Sequence, residues 1–149
     1  RQALELQTLF AIAGAIALGL ALLNSGAVHA IAHSTVASVG QWGPYAVLAA
    51  LAILTMLFTE IVTNTAAAAL MFPLAVATAL DLGVDPRPFV MVVALIASAS
   101  FLTPIGYQTN LMVYGPGGYR FTDFTRVGLP LSVLLLLAAT LLSPMVWPF

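Results

Sequence analysis

The chain has 149 residues, of which 62% are hydrophobic and only 6% are charged. Soluble domains carry about 25% charged residues, so this composition excludes a water-soluble globular domain and a disordered chain. Four basic residues cannot form the basic patch that nucleic-acid binding requires. The absence of cysteine excludes disulfides, cysteine-based metal sites and thiol catalysis. The composition therefore predicts an integral membrane protein.

The charges, four basic and five acidic, are distributed very unevenly along the chain. All but one lie at the start of the chain or in two clusters, 81–87 and 120–126, which adjoin prolines or glycines. Segments of this kind are typical of loops in water. The remaining charge, Glu60, lies alone inside an apolar stretch.

The first and last apolar blocks predict helices of an all-α, polytopic membrane protein. A helix needs about 20 apolar residues to cross a bilayer core of about 30 Å. Residues 127–147 meet this requirement and are predicted to form the final transmembrane helix. Residues 3–34 are predicted to form an apolar helix and an interfacial segment, with a break at Asn24–Gly26. Because the chain starts at Arg1 without a Met, we expect residues 1–149 to be a single membrane domain of a longer protein.

Residues 44–80 are predicted to form a re-entrant helical hairpin. As one helix, this segment would be about 55 Å long, which is too long for a single crossing. Its centre, residues 59–65, combines three threonines, an asparagine and a glutamate. Each arm would be roughly 22 Å long, so we expect the chain to enter the membrane and turn back at this polar centre.

A second polar interruption is predicted within residues 88–115. Pro104 removes a backbone donor and Gly106 weakens a helix, so the chain should unwind over Thr103–Asn110. Residues 88–115 are therefore predicted to form a discontinuous transmembrane helix.

Two interrupted apolar segments indicate a transport site near the bilayer midplane. Irregular backbone at that depth is tolerated only when it is buried in protein or lines a watery cavity. Helix N-termini suit anions, while freed carbonyls, threonine hydroxyls and an asparagine oxygen suit a hard cation such as Na⁺. The alternative is a purely structural role, because hydroxyl side chains in membrane helices often bond their own backbone.

Glu60 is the embedded carboxylate of this region, and three roles are open to it. An ionisable side chain inside a membrane segment indicates function by default. Glu60 could be a cation ligand, a proton carrier, or a structural acceptor of backbone N–H groups at the hairpin tip.

The two interruptions resemble paired motifs of a known family. Residues 59–66, Thr-Glu-Ile-Val-Thr-Asn-Thr-Ala, resemble the second Ser-Asn-Thr motif of the divalent anion:sodium symporter family, in the ion transporter superfamily. Residues 101–110, Phe-Leu-Thr-Pro-Ile-Gly-Tyr-Gln-Thr-Asn, are similar to the matching unwound loop. The resemblance covers essentially the whole chain, but only the C-terminal one of the family's two inverted repeats.

The resemblance implies roles for residues at both interruptions. It implies that Na⁺ is bound by Thr59, Val62, Asn64 and Gly106. It implies that the anion is contacted by Thr63, Asn64, Thr65, Tyr107, Thr109 and Asn110. It implies no cofactor, and no metal beyond Na⁺ as the coupling ion.

Two departures from the family pattern bear on the substrate. Thr63 stands where the family usually has Ser, and it keeps the hydroxyl. Tyr107 and Gln108 stand where dicarboxylate carriers often have Thr-Pro, so the resemblance favours sulfate, or another small divalent anion, over a dicarboxylate.

The sequence therefore predicts one half of a secondary-active, Na⁺-coupled transporter, multi-pass in a bacterial-type inner membrane. The expected partners are the divalent anion, Na⁺, the lipid bilayer and the N-terminal half of the same transporter, with the full protein a homodimer. The alternatives are a proton-coupled antiporter, in which Glu60 would titrate, and a non-transporting structural subunit or remnant. No enzyme activity is expected. His29 and His33 could share a helix face, but no carboxylate joins them, so a metal site there is not expected.

Overall fold

A computed structural model describes residues 13, 14, 17, 20, 21 and 24–149. These residues form helices, and no β-strand occurs among them, in agreement with the all-α prediction. The helices are α1 (Ala27–Val39), α2 (Pro44–Thr59), α3 (Asn64–Leu82), α4 (Arg87–Ile96), α5 (Gln108–Tyr114) and α6 (Phe121–Val146), with a 3-10 turn at Gly40–Trp42. Much of the predicted first segment, 3–34, lies outside the described residues.

Helix α1 begins directly after a turn at Ser25–Gly26, where Gly26 has φ of 76°. Residues other than glycine rarely adopt this left-handed conformation. The predicted first segment ended at residue 34, but α1 continues to Val39. The hydroxyls of Thr35 and Ser38 donate to the carbonyls of Ile31 and Ser34, at 2.8 and 2.7 Å. These small polar side chains bond within the helix, so they do not end it.

Helices α2 and α3 pack against each other as a hairpin whose connection is residues 60–63. Pro44 begins α2, at a position where its missing N–H costs nothing. Thr63 caps α3, because its Oγ1 accepts the N–H of Ala66 at 3.3 Å. The two arms were predicted at 44–58 and 66–80, and in the structure α2 is longer by one residue and α3 by two residues at each end. That this hairpin re-enters the membrane remains a prediction.

Helix α4 lies at the centre of the packing, in contact with α2, α3 and α6. Its buried side chains recur at the spacing of one helix face: Phe89, Val92, Val93 and Ile96. On the opposite face Ala94 and Leu95 are exposed. The hydrophobic core therefore fixes where α4 ends, and with it where the following unwound segment begins.

The unwound segment comprises residues 97–107, which differs from the predicted break over Thr103–Asn110. Proline disrupts the helical turn that precedes it, because its ring collides with the carbonyl four residues earlier. Pro104 therefore disrupts the backbone from Ser100 to Thr103, and the segment begins still earlier, at Ala97, while Gln108–Asn110 already belong to α5.

Helix α6 begins at Phe121, earlier than the predicted start at residue 127. The carboxylate of Asp123 accepts the N–H of Arg120 at 2.8 Å and lies in the first helical turn, where the helix dipole favours a negative charge. The charged cluster expected in a loop thus forms the start of α6. Pro130 consequently lies in the helix interior instead of its first turn.

Within the described residues, two helices are long and apolar enough to cross a membrane, α3 and α6. Helix α6 has 26 residues and would be about 39 Å long at 1.5 Å per residue. Many of its large apolar side chains are exposed, such as Val127 at 70% and Leu134 at 65%. An exposed apolar face of this size fits a lipid or protein neighbour far better than water.

Candidate functional site

The hairpin tip and the unwound segment meet at the side chain of Thr59, the last residue of α2. Its Oγ1 lies 2.6 Å from the carbonyl oxygen of Ala97, the residue that follows α4. The same Oγ1 lies 2.9 Å from Oδ1 of Asn64, the first residue of α3. Thr59 is fully buried. One buried hydroxyl thus joins the ends of α2 and α4 to the start of α3.

A proton count shows what the contact between Thr59 and Asn64 can do. A hydroxyl has one proton, and a backbone carbonyl can only accept, so the proton of Thr59 points to Ala97 at the shorter distance. A lone pair of Thr59 then faces Asn64. Two oxygen lone pairs then face each other, which is unfavourable unless something positive lies between them. Either the amide of Asn64 rotates so that its NH₂ donates to Thr59, or a cation binds both oxygens. The arrangement can therefore bind a small cation.

The carboxylate of Glu60 accepts hydrogen bonds from two consecutive residues of the unwound segment. Its Oε1 accepts the N–H of Leu102 at 2.9 Å. Its Oε2 accepts the N–H of Thr103 at 3.0 Å and the hydroxyl of Thr103 at 2.8 Å. Glu60 is only 7% exposed, and no basic side chain of the described residues lies within 4 Å of it. Of the three roles open to Glu60, this geometry matches the structural acceptor, although its donors come from the other interruption.

Gly106 packs directly against this carboxylate. A Cβ at Gly106 would lie 2.9 Å from Oε2 of Glu60 and would overlap Oγ of Ser100. The N–H of Gly106 donates to Oγ1 of Thr103 at 3.1 Å. Only glycine fits here because any side chain would displace the polar groups around it.

Further hydrogen bonds fix the shape of the unwound segment. Ser100 donates its hydroxyl to the carbonyl of Thr59 at 3.2 Å. The NH₂ of Asn110 donates to the carbonyls of Ser100 and Thr103, at 3.0 and 3.3 Å. Asn110, predicted to contact the anion, therefore uses its donors within the protein. Such bonds are required because unwound backbone loses the partners that a helix provides.

Helix α6 supports the other side of the unwound segment. Thr125 donates its hydroxyl to the carbonyl of Leu102 at 3.0 Å. Gly128 lies so close to the backbone of Phe101 that an added Cβ would overlap its carbonyl oxygen. The segment is thus held between the hairpin tip and α6.

The predicted cation and anion residues differ in position and burial. The candidate cation ligands lie around the hairpin tip, from Thr59 at the end of α2 to Asn64 at the start of α3, together with Gly106 late in the unwound segment. Candidate anion contacts lie at the starts of α3 and α5, where N–H groups concentrate positive charge. The residues of the anion set that are exposed are Thr63, Thr65, Tyr107 and Thr109. The first set is more buried than the second, since Thr59 and Gly106 are buried and Val62 and Asn64 are half-buried.

The structure brings together only part of the predicted set. Thr59 and Asn64 touch directly, and Gly106 joins them through Glu60 and Ser100. Within the described chain, Thr65, Tyr107 and Thr109 have no hydrogen bond from their side chains. No group of three or more potential metal-ligating His, Cys, Asp or Glu side chains occurs in the described part either, and this includes the surroundings of His29 and His33.

Sequence reasoning missed four residues of this network. They are Ala97, Ser100, Thr103 as the partner of Glu60, and Thr125. The run of small residues at 97–100, Ala-Ser-Ala-Ser, was a signal that the break begins before Pro104. The sequence contains no such signal for Thr125, which reaches the network from α6.

An apolar, all-helical chain with two polar helix interruptions joined by buried hydrogen bonds fits an integral membrane protein. Comparison with known sequences gives the family. The sequence profile of the citrate transporter family matches residues 1–94, and the chain belongs to this family. The resemblance to divalent anion:sodium symporters is confirmed, since both belong to the ion transporter superfamily.

Individual relatives are also transporters and not enzymes. An uncharacterized transporter of Synechocystis is 47% identical over 97% of this chain. An uncharacterized transporter of Escherichia coli K12 is 38% identical over 93% of this chain. Sodium/sulfate cotransporter 1 of Chlamydomonas reinhardtii is 36% identical over 93% of this chain. No solved structure matches the chain.

The chain spans only part of the length of these relatives. It covers 24% of the Synechocystis protein, 23% of the Escherichia coli protein and 16% of the Chlamydomonas protein. Each of these relatives therefore contains much more sequence than this chain.

Proposed function

We propose that this chain is the C-terminal inverted repeat of a secondary-active transporter that couples the movement of a small divalent anion to Na⁺. Thr59, Val62, Asn64 and Gly106 would bind Na⁺. Thr63, Asn64, Thr65, Tyr107 and Thr109 would face the anion, while Asn110, whose NH₂ donates within the protein, would hold the unwound segment in shape. The observation that carries the proposal is the pair of oxygens of Thr59 and Asn64, 2.9 Å apart at three helix ends. The position of this pair at a polar helix interruption supports it.

The charge distribution explains why a cation would be needed to bind a dianion here. Within the described residues, the network around Thr59 and Glu60 contains a carboxylate and no basic side chain. Backbone N–H groups and hydroxyls alone must then attract two negative charges. A bound Na⁺ would screen that charge and would order the hairpin tip at the same time.

Sulfate is the favoured substrate. The names of several Chlamydomonas relatives, sodium/sulfate cotransporters that are 33–36% identical, support this choice. The description of the matched family, citrate transporter, supports citrate as the second candidate. Tyr107 and Gln108 in place of the Thr-Pro of dicarboxylate carriers favour the inorganic anion.

The full transporter would contain an N-terminal half with its own polar interruption, would assemble as a homodimer and would lie in a bacterial-type inner membrane. Alternating access would move the site-bearing part against a scaffold outside this chain. The coupling ion could instead be a proton, as in antiporters of the same superfamily. The donors already bonded to both oxygens of Glu60 argue against that alternative.

Replacement of Asn64 tests the site. Asn64→Ala in the full-length carrier removes the oxygen opposite Thr59, and we expect Na⁺-dependent uptake to fall at least about 100-fold. Asn24→Ala is the matched control, because Asn24 is exposed at the turn before α1. Uptake into reconstituted vesicles is measured at equal amounts of inserted protein. Normal Na⁺-dependent uptake by Asn64→Ala would show that the site lies elsewhere.

A further inference from the structure

We propose that Glu60 is a positioning residue that locks the unwound segment onto the hairpin tip, so that cation binding at the tip and the shape of the anion-binding loop change together. It would contact neither ion. This inference rests on the proposed function, because it concerns how the two parts of that site are coupled.

Glu60 is distinguished by where its hydrogen-bond donors come from. All three belong to Leu102 and Thr103, more than 40 positions further along the chain. Hydrogen bonds to an ionised group are roughly twice as strong as neutral ones, and more so out of water. We call these three bonds between Glu60 and residues 102–103 the clamp. It is the strongest connection that this geometry provides between the two interruptions.

The clamp occupies both oxygens of the carboxylate. A Na⁺ ligand must present free lone pairs to the ion, and three donors already use three of the roughly four lone-pair sites of the Glu60 carboxylate. A proton carried by Oε2 would have to compete with the N–H and the hydroxyl of Thr103. The geometry is therefore that of a fixed acceptor and not of an ion carrier.

The position of Glu60 in the chain makes the clamp a route for coupling. Thr59, its neighbour, contacts Ala97 through Oγ1 and Ser100 through its carbonyl. Thr59 and Glu60 thus hydrogen-bond to the unwound segment at its start and at its middle. A cation that shifts Thr59 also shifts Glu60, and the segment must follow toward Tyr107 at the start of α5.

The first test measures the Na⁺ dependence of uptake by the full-length carrier. Glu60→Gln places an NH₂ group opposite one of the N–H groups that now donate to the carboxylate. Thr103→Val removes the hydroxyl that donates to Glu60 and accepts from Gly106. Each should raise the Na⁺ concentration for half-maximal uptake about tenfold. The rate at saturating Na⁺ and anion should stay within about threefold. Thr103→Ser should restore the value that Thr103→Val loses.

The double variant Glu60→Gln/Thr103→Val decides whether the two residues act through one contact. We expect its effect to be well below the product of the two single effects, because both changes act on the bond between the Thr103 hydroxyl and Oε2 of Glu60. An effect near the product of the two, about 100-fold, would overturn the proposal. The proposal would also be overturned if Glu60→Gln were inactive at every Na⁺ concentration while Thr103→Val transported normally. Glu60 would then be a direct ligand of the ion.

A second readout needs neither Na⁺ nor transport. Ile105 is 67% exposed in the unwound segment, and the chain contains no cysteine. In a full-length carrier without other cysteines, the Ile105→Cys thiol is labelled by a maleimide in Na⁺-free buffer. Each clamp variant should speed labelling, and the double should speed it by less than the product of the two single factors, while Asp81→Cys should label at an unchanged rate. Unchanged labelling of Ile105→Cys would overturn the clamp. If the unmodified carrier ignored Na⁺, the proposed coupling ion would be wrong, but this labelling would still decide the clamp.

Discussion

The hairpin tip at 60–63 and the unwound segment at 97–107 both interrupt apolar helices, but their hydrogen bonds span very different distances in sequence. At the tip, the N–H groups of Ile61 and Val62 donate to Phe58, and Thr63 accepts from Ala66 and Ala67. The unwound segment instead depends on Thr59, Glu60, Asn110 and Thr125. The backbone of the tip is closed by local bonds, although its Glu60 side chain reaches the segment, whereas residues 100–107 take much of their shape from distant neighbours.

This difference suggests a division of labour between the two regions. A locally stabilised tip can retain its fold while ions exchange at Thr59 and Asn64. A segment shaped by its neighbours responds to what they do. Changes to the contacts of the unwound segment should therefore impair transport more than changes to the local bonds of the tip.

Gly106→Ala should have the largest effect. The added Cβ would lie 2.9 Å from Oε2 of Glu60 and would overlap Oγ of Ser100, so both contacts of the segment with the tip must give way. Overpacking of this kind costs about 1–3 kcal/mol, and we expect uptake to fall by about 100-fold. Gly115→Ala, where an added Cβ meets nothing within 4 Å, is the control. Equal uptake by the two variants would mean that the packing around Gly106 is not required.

Thr59→Val should come next, since it leaves the buried carbonyl of Ala97 and the amide of Asn64 without their shared partner. A buried group left unsatisfied costs about 1–3 kcal/mol. The Na⁺ concentration for half-maximal uptake should rise about 10-fold or more. Thr59→Ser keeps the hydroxyl and should stay near the unmodified value. If Thr59→Val and Thr59→Ser require the same Na⁺ concentration for half-maximal uptake, the hydroxyl of Thr59 has no part in cation binding.

Thr125→Val should have a smaller effect, because it removes one hydrogen bond between α6 and the carbonyl of Leu102. A single bond of this type contributes about 1 kcal/mol. The purified full-length protein should melt at a lower temperature, and uptake should fall several-fold. Thr122→Val is the matched control on the same helix, since Thr122 is exposed and has no hydrogen bond from its side chain within the described residues. A lower melting temperature for the control than for Thr125→Val would contradict the support by α6.

Thr63→Ala should change stability least. It removes the local cap of α3, a bond of 3.3 Å at an exposed position, which we expect to contribute about 0.5 kcal/mol. The melting temperature of the purified protein without anion reports on the cap alone. A larger loss of stability for Thr63→Ala than for Thr125→Val would reverse the proposed comparison of the two regions.

The sequence allowed the elements to be predicted better than the contacts between them. Apolar blocks, prolines and polar interruptions were enough to predict an all-α membrane protein and the existence of both breaks. The start of the second break was wrong in part because Pro104 disrupts the turn before it, back to Ser100, while the earlier start at Ala97 follows from contacts with Thr59 that the sequence does not show. The start of α6 was wrong because Asp123 forms a cap, which a cluster of charges does not reveal.

The partners of the network could not be predicted, because they are far apart in the chain. Glu60 was recognised as unusual from its isolation among apolar residues. The carboxylate oxygens of Glu60 accept the N–H groups of Leu102 and Thr103 only because of how the hairpin packs against α4. The roles of Tyr107 and Thr109 remain predictions, and they depend on the resemblance to the family.

Uptake of radiolabelled sulfate by the full-length carrier in proteoliposomes tests the central claim most directly. Unlabelled sulfate, succinate or citrate is added as a competitor of the labelled sulfate. Each uptake is measured with and without an inward Na⁺ gradient and at several imposed pH gradients. For Na⁺-coupled sulfate transport, we expect uptake that requires Na⁺, does not depend on the pH gradient and is inhibited most strongly by unlabelled sulfate. Uptake that is equal without Na⁺, or that follows the pH gradient, would contradict it.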